Sequence, residues 1–236
     1  DLIYGGVVGN LQTPYLVTYK ADGIRKLLFI DREKGIWLIY PNYEFNLLFL
    51  VSQAPEICKN FSGTILDGEL IMNSKTSKYQ YLIFDCISFN GNIGVQDYPY
   101  ISETETARHT IFSQLAKIIN FKENILRVDI KESAILKNPE VFFSEINRFL
   151  DRRELLSYPQ DGLMFIPVDV EYNPHSEKHQ LYERRLTKYP DTVKWKPPIE
   201  ITIDFAIKKV SHDKVSLYSW EHVSKKYVPF KGTKMF

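Results

Sequence analysis

The sequence predicts a sheet-rich α+β fold, and three observations carry the prediction. Aromatic side chains, which suit a pleated and half-buried surface, are abundant: 15 Tyr, 15 Phe and 3 Trp in 236 residues. Short apolar runs rich in β-branched residues recur between Asp-Gly, Pro-Asn and Pro-Pro breaks. Only two long stretches space their apolar residues with the period of a helix.

Taken in order, residues 1–14 are a glycine-containing lead-in. Its Gly5-Gly6 pair has the composition of a phosphate cradle but fits no fingerprint spacing, so a plain loop is expected. Residues 15–31 predict strand, tight turn and strand, a hairpin around Asp22-Gly23 in which Gly23 supplies a permissive backbone. Residues 35–40 predict the next strand of a meander, and the mixed apolar spacing of 43–59 predicts a short helix. Strands follow at Thr64–Met72 and Tyr79–Phe89. Glu103–Asn120 predicts a helix, with Ser102 as N-cap and Glu105 completing a capping box. Ile125–Ile130 predicts a strand, and Asn138-Pro139 opens a second helix; both helices are expected to pack outside the sheets. Gln160–Pro167 predicts another strand. Residues 168–190 are polar and loop-like, with Arg184 and Arg185 as a small basic cluster. Thr192–Lys196 is a strand that places Lys194 and Lys196 on one face. After the Pro197-Pro198 break, Ile199–Ile207 and Lys214–Trp220 predict further strands, giving domains over 1–198 and 199–236.

Composition excludes several function classes. A net charge of +1 rules out a global basic field, so any nucleotide or RNA contact needs a local cluster. Cys58 and Cys86 form neither a metal spacing nor a disulfide framework, which fits a reducing compartment. Neither a membrane-length apolar run nor a signal peptide is visible. From its ends, Asp1 and Lys234-Met235-Phe236, the chain is expected to be a fragment of a longer protein.

The chemistry concentrates at strand ends. Lys20 lies where a strand gives way to a turn, and Arg25 follows five residues later, so an amine, a guanidinium fork and Asp22 fall within six residues, a composition suited to phosphate. Alone, Lys-x-Asp-Gly-x-Arg is equally an ordinary hairpin tip. Asp67-Gly68-Glu69 interrupts an apolar strand, where acids are unfavourable unless something uses them; a bulge at Gly68 with both acids solvated is the alternative. Asp161-Gly162 opens a further strand. Lys194 and Lys196 repel one another unless an anion lies between them. Acids at strand ends suggest a divalent metal, and bases suggest phosphates. A lysine nucleophile must become neutral, which desolvation and neighbouring cations favour.

These elements, in this order, resemble the covalent nucleotidyltransferases, the family of mRNA capping guanylyltransferases and ATP-dependent polynucleotide ligases. Lys20–Arg25 resembles its motif I, Asp67-Gly68-Glu69 motif III, Tyr81–Ile87 motif IIIa, Asp161–Met164 motif IV and Lys194-Trp195-Lys196 motif V. Thr18, where many ligases carry Glu, and the Lys-Trp-Lys-Pro form of motif V make it most similar to capping guanylyltransferases, including the multifunctional type of large DNA viruses. An RNA or DNA ligase adenylation domain is the alternative.

The resemblance implies a nucleotidyltransferase domain of antiparallel sheets flanked by helices, followed by the start of an OB-like domain. It implies attack by Lys20 on GTP to form lysyl-N-GMP, and transfer of GMP to the 5′-diphosphate end of RNA. Thr18, Arg25, Glu69, Phe84, Met164, Lys194 and Lys196 are implied to bind the nucleotide: Arg25 and Glu69 at the ribose, Phe84 and Met164 on either face of guanine, both lysines at the α-phosphate. Periodicity alone assigns Phe84 and Met164 to a core. Asp161, with Glu69 as second candidate, is implied to support Mg²⁺ or Mn²⁺. Triphosphatase and methyltransferase domains are implied elsewhere in the parent chain, with an intracellular location: host cytoplasm if viral, nucleus if cellular. One departure stands out: the Arg-x-Asp-Lys motif of the family's OB domain does not occur before Phe236.

Overall fold

The strands on either side of Asp22-Gly23 do not pair with each other. The structure, a computed structural model, describes residues 14–41, 49–52, 54–103, 106–119, 126–169, 171–172, 192–197, 205–211, 214–221 and 224–230. Gly5-Gly6, Arg184-Arg185 and residues 199–204 lie outside them. Strand β1 (Tyr15–Ala21) joins β8 (Ser133–Leu136), β9 (Gln160–Pro167) and β10 (Val193–Trp195) in a four-stranded sheet of order β10-β9-β1-β8. Strand β2 (Ile24–Asp31) enters a six-stranded sheet with β3 (Gly35–Ile39), β4 (Phe49–Ser52), β5 (Thr64–Asn73), β6 (Lys78–Ser88) and β7 (Arg127–Ile130), in the order β4-β3-β2-β5-β6-β7.

The expected hairpin is therefore a crossing between two sheets, and its causes are local. The Asp22 amide donates to the Pro159 carbonyl at 2.9 Å, and the Gly23 amide donates to Glu69 at 3.2 Å, so the turn is fastened to both sheets. Gly23 is required for space rather than for a left-handed backbone. A Cβ there would lie 2.5 Å from Ile71 Cγ2 and 2.6 Å from the Leu70 carbonyl.

Both sheets are antiparallel, as expected, except that β6 and β7 run parallel. Alternation along β1 and β9 divides the core. Tyr15, Val17, Tyr19, Leu163 and Phe165 bury one face of the four-stranded sheet against Phe142 and Phe149 of α3 (Pro139–Arg152). Leu16 and Ile166 face the other way, into a core with Leu28, Ile30, Leu66 and Ile83 of the six-stranded sheet and Phe112 and Leu115 of α2 (Arg108–Ile118). The two sheets thus face each other, with one helix outside the smaller sheet.

Asn138 caps α3 as its position predicts, accepting from the Val141 amide at 2.9 Å. Helix α2 departs from expectation. It begins at Arg108 rather than Glu103, its N-cap is Ala107, and Ser102 and Glu103 are non-helical; Glu105 lies outside the described residues. Arg108 is buried and donates to Asp85 through Nε at 2.7 Å and to the Tyr98 carbonyl. The Arg108 and His109 amides reach the Pro99 and Tyr100 carbonyls, so the chain before the helix is a packed loop that supplies the cap. Residues 43–59 hold the expected short helix, α1 (Pro55–Asn60), together with strand β4.

The chain divides into two units, Asp1–Lys196 and Pro197–Phe236. The described part of the second is an antiparallel meander of β11 (Ala206–Lys209), β12 (Val215–Glu221) and β13 (Lys226–Pro229).

Candidate active site

Two of the expected site residues, Lys20 and Lys196, meet on the carboxylate of a third, Asp161. Lys20 stands one residue from the end of β1, where the β1–β9 register is interrupted between Tyr19 and Ala21. That irregularity sets Lys20 against Asp161, and its ammonium donates to Asp161 Oδ1. The Lys196 ammonium lies 2.6 Å from Oδ2 of the same carboxylate. Burial alone pushes the Asp161 carboxyl up, but hydrogen bonds from Lys196 and Lys20 outweigh it and hold the group below the ordinary carboxylate range. The protein itself thus supplies an anion beside Lys196, the second lysine of the Lys-x-Lys pair.

Phe84 owes its position to a bulge. In the β5–β6 ladder Asp67 faces Asp85 and Gly68 faces Ile83, so Phe84 has no partner opposite and is turned out of the regular alternation. The Arg25 guanidinium carbon lies 6.0 Å from the centre of its ring and the Lys131 ammonium 4.9 Å. Arg25 leads into β2 and grips Asp67 with Nε at 3.0 Å and Nη2 at 2.5 Å. Asp67 is fully buried and also accepts from the Tyr172 hydroxyl at 2.9 Å. The alternative of a solvated Asp67 is thereby overturned: the ladder is irregular at Gly68, yet the acid is engaged by a fork and a phenol. Gly68 is needed because a Cβ there would meet Tyr81 Cζ at 2.4 Å.

Glu69 accepts from the Gly23 amide, and burial pushes its carboxyl up against the opposing pull of Lys131 and Lys20. Thr18 is buried and donates its hydroxyl to the Glu132 carbonyl at 2.8 Å, which pins the backbone beside Lys131. Met164 is half-buried and stands in register between Thr18 on β1 and Lys194 on β10, so these three share a face. Lys194 is exposed on that face.

Two residues of the site escape the sequence reading. Lys131 follows β7 and is buried; desolvation lowers its ammonium to about 8, against the pull of Glu69 and Asp67 and with the repulsion of Lys20 and Lys194. The signal was a strand ending in a lysine, the pattern that marks Lys20. Tyr172 sits in a polar stretch with no motif, and its hydroxyl is pushed up by burial and by Asp67. Among the described residues, no three His, Cys, Asp or Glu side chains gather as a metal cage.

The family model described as mRNA capping enzyme, catalytic domain, matches residues 9–190. The chain belongs to that family. The mRNA-capping enzyme subunit alpha of Kluyveromyces lactis is 26% identical over 216 residues, covering 84% of this chain and 43% of that protein. The mRNA-capping enzyme of Mus musculus is 28% identical over 207 residues, covering 84% of this chain and 31% of that protein. The chain spans less than half the length of these curated relatives. The solved structure titled Pmar-Lig_PreS3 superposes with a TM-score of 0.51 at 14% identity, covering 94% of this chain and 52% of that one, a likeness of fold alone. The capping-family match takes in Lys20, Arg25, Glu69, Phe84 and Asp161 and ends before Lys194 and Lys196.

Proposed function

We propose that the chain is a GTP:RNA guanylyltransferase that works through a lysyl-N-GMP intermediate. The observation that carries this reading is Lys20, an amine at a strand end, held by a carboxylate that a second lysine shares. In the first step the Lys20 nitrogen bonds to the α-phosphorus of GTP, the bond to the bridging oxygen breaks, and pyrophosphate leaves. The ammonium must first give up a proton, and Asp161 is the carboxylate in contact with it. In the second step the 5′-diphosphate end of RNA attacks phosphorus and the nitrogen–phosphorus bond breaks. Lys196 and Lys194 offset charge that builds on the phosphate oxygens. Phe84 offers a ring to the base, Met164 an apolar face, and Arg25 and Glu69 polar contacts to the ribose.

Mg²⁺ or Mn²⁺ fits this donor set only together with the nucleotide. Asp161, with Glu69, provides one or two carboxylates, and phosphate oxygens complete such a shell. The ion would neutralise charge on the triphosphate.

The test is incubation with α-labelled GTP or ATP in parallel, followed by denaturing electrophoresis. A denaturation-resistant adduct from GTP that disappears in Lys20→Ala is expected. Label retained in that variant, or an adduct formed from ATP alone, overturns the reading.

A further inference from the structure

The meander of the second unit has two unlike faces. In an antiparallel ladder, residues directly opposite each other project to the same side. Register sets Lys208 opposite Ser216, Tyr218 between Ala206 and Pro229, and Trp220 opposite Tyr227. The Val210 amide donates to the Lys214 carbonyl and extends the β11–β12 ladder by one pair. One side therefore carries Lys208, Lys214, Tyr218, Trp220 and Tyr227, with the exposed Val210 opposite Lys214. The other carries Ile207, Val215, Leu217 and Val228, interspersed with Lys209, Ser219, Glu221 and Lys226, and Ile207 is 68% exposed.

The aromatic side is open. Trp220 is 46% and Tyr227 58% exposed, and their rings meet edge-on with centroids 5.1 Å apart. Lys208 and Lys214 are exposed on the same side. The second unit is also the more basic one: residues 197–236 hold seven lysines against four acids, whereas the whole chain is only +1, so the first unit is net negative. Among the paired residues, the aliphatic face carries an acid, Glu221, and the aromatic face carries none. Tyr and Trp beside lysines on the aromatic face are what flat rings joined by phosphates require.

We propose that this face is a stacking platform for single-stranded RNA. Tyr218, Trp220 and Tyr227 take the bases, and Lys208 and Lys214 take the backbone phosphates. The proposal rests on the reading of the chain as an enzyme that transfers GMP to RNA, and it says which surface holds the acceptor strand away from its reacting end.

The test uses the whole chain and a labelled 5′-hydroxyl oligoribonucleotide of about 12 nucleotides, long enough to cover a platform of this kind and unable to accept GMP. Fluorescence anisotropy gives its affinity, and α-labelled GTP gives adduct yield on the same preparations. Trp220→Ala with Tyr227→Ala is expected to weaken RNA binding by about tenfold or more. Lys208→Glu with Lys214→Glu, which disturbs no core, is expected to weaken binding and to reduce the slope of log affinity against log salt by about two. Both variants keep the adduct yield, and the aromatic variant binds an RNA duplex as the parent does. Parental affinity for single strands in both variants overturns the proposal. So does a change confined to self-association in sedimentation, which would assign the face to a second copy. Failure of the parent to form an adduct, with aromatic-dependent RNA binding intact, counts against guanylyl transfer and not against the platform.

Discussion

The Lys131 ammonium stands 4.9 Å from the centre of the Phe84 ring. It is a buried cation whose burial lowers it to about 8. Its folded value lies below its unfolded one of 10.5. The unfolded chain therefore holds more protons between those values, and stability rises with pH across that window. The corresponding cost at neutral pH is roughly 3 kcal/mol. Lys131→Met, which keeps the stem and removes the charge, is expected to raise the melting temperature at pH 7 by about 5–10 °C. The difference from the parent should shrink as pH approaches 10.5, and thermal melts at several pH values check both. An ammonium only donates, and guanine offers N7 and O6 as acceptors where adenine sets an amino group beside N7. The same variant should lose preference for GTP over ATP in adduct formation.

Asp161 is the hinge of the lysine cluster, since both its oxygens are engaged, one by Lys20 and one by Lys196. Asp161→Asn keeps the shape and removes the charge that draws both ammoniums together. Adduct yield from α-labelled GTP is expected to fall by about 100-fold or more, the scale associated with losing a positioned proton acceptor. Lys196→Ala should cost less, because Lys20 keeps its carboxylate. Equal yields from the Asp161→Asn protein and its parent would remove Asp161 from the mechanism.

How much of this was legible follows from what each signal depends on. Strands were readable because alternation and turn dipeptides are local, and Asn138-Pro139 marked the α3 start for the same reason. Asp22-Gly23 announced a turn but not a hairpin. Whether flanking strands pair is decided by Pro159 and Glu69, far away in sequence. The Ser102–Glu105 pattern failed because Arg108, which has the composition of a surface residue, turns inward to Asp85. The convergence of Lys20, Asp161 and Lys196 came from resemblance, since no spacing brings together residues over 140 positions apart. Lys131 and Tyr172 stayed invisible because their burial is a property of the folded sheets, not of their neighbours in the chain.

Tyr172 donates to the carboxylate that grips Arg25, and its amide is held by the Gln96 carbonyl at 2.9 Å. Its ring also lies 6.0 Å from the Arg108 guanidinium, which holds Asp85, the neighbour of Phe84. Tyr172 thus joins the anchors of two proposed nucleoside contacts without reaching the lysines. Tyr172→Phe removes one hydrogen bond to a charged group, worth roughly 1.5–3 kcal/mol. The KM for GTP is expected to rise several-fold while kcat stays within about twofold, because uniform binding is lost and not transition-state contact. A fall in kcat with KM unchanged would contradict this role.

Gly162 makes the strongest backbone demand near the site. Its φ is +134°, a region that side chains rarely adopt, and a Cβ there would lie 1.9 Å from the Trp195 carbonyl oxygen. That oxygen belongs to β10, the edge strand paired to β9 through Lys194 opposite Met164 and Trp195 opposite Leu163. A single methyl at 162 must therefore push β10 off β9 or twist Asp161, immediately before it, out of contact with Lys20. Either movement separates Lys196 from Asp161. Gly162→Ala is expected to lower the melting temperature by about 5 °C or more, the effect of a few kcal/mol of backbone strain in a domain of this size. It should also reduce the GMP adduct far more than this loss of stability explains, when assayed well below the transition. Gly91→Ala is the matched control: that glycine also has positive φ, at +78°, but a Cβ there meets nothing within 4 Å. It should cost stability alone, with adduct yield kept. Equal losses of adduct in the two variants would mean that strain at Gly162 acts on the fold in general and not on the meeting of Lys20, Asp161 and Lys196.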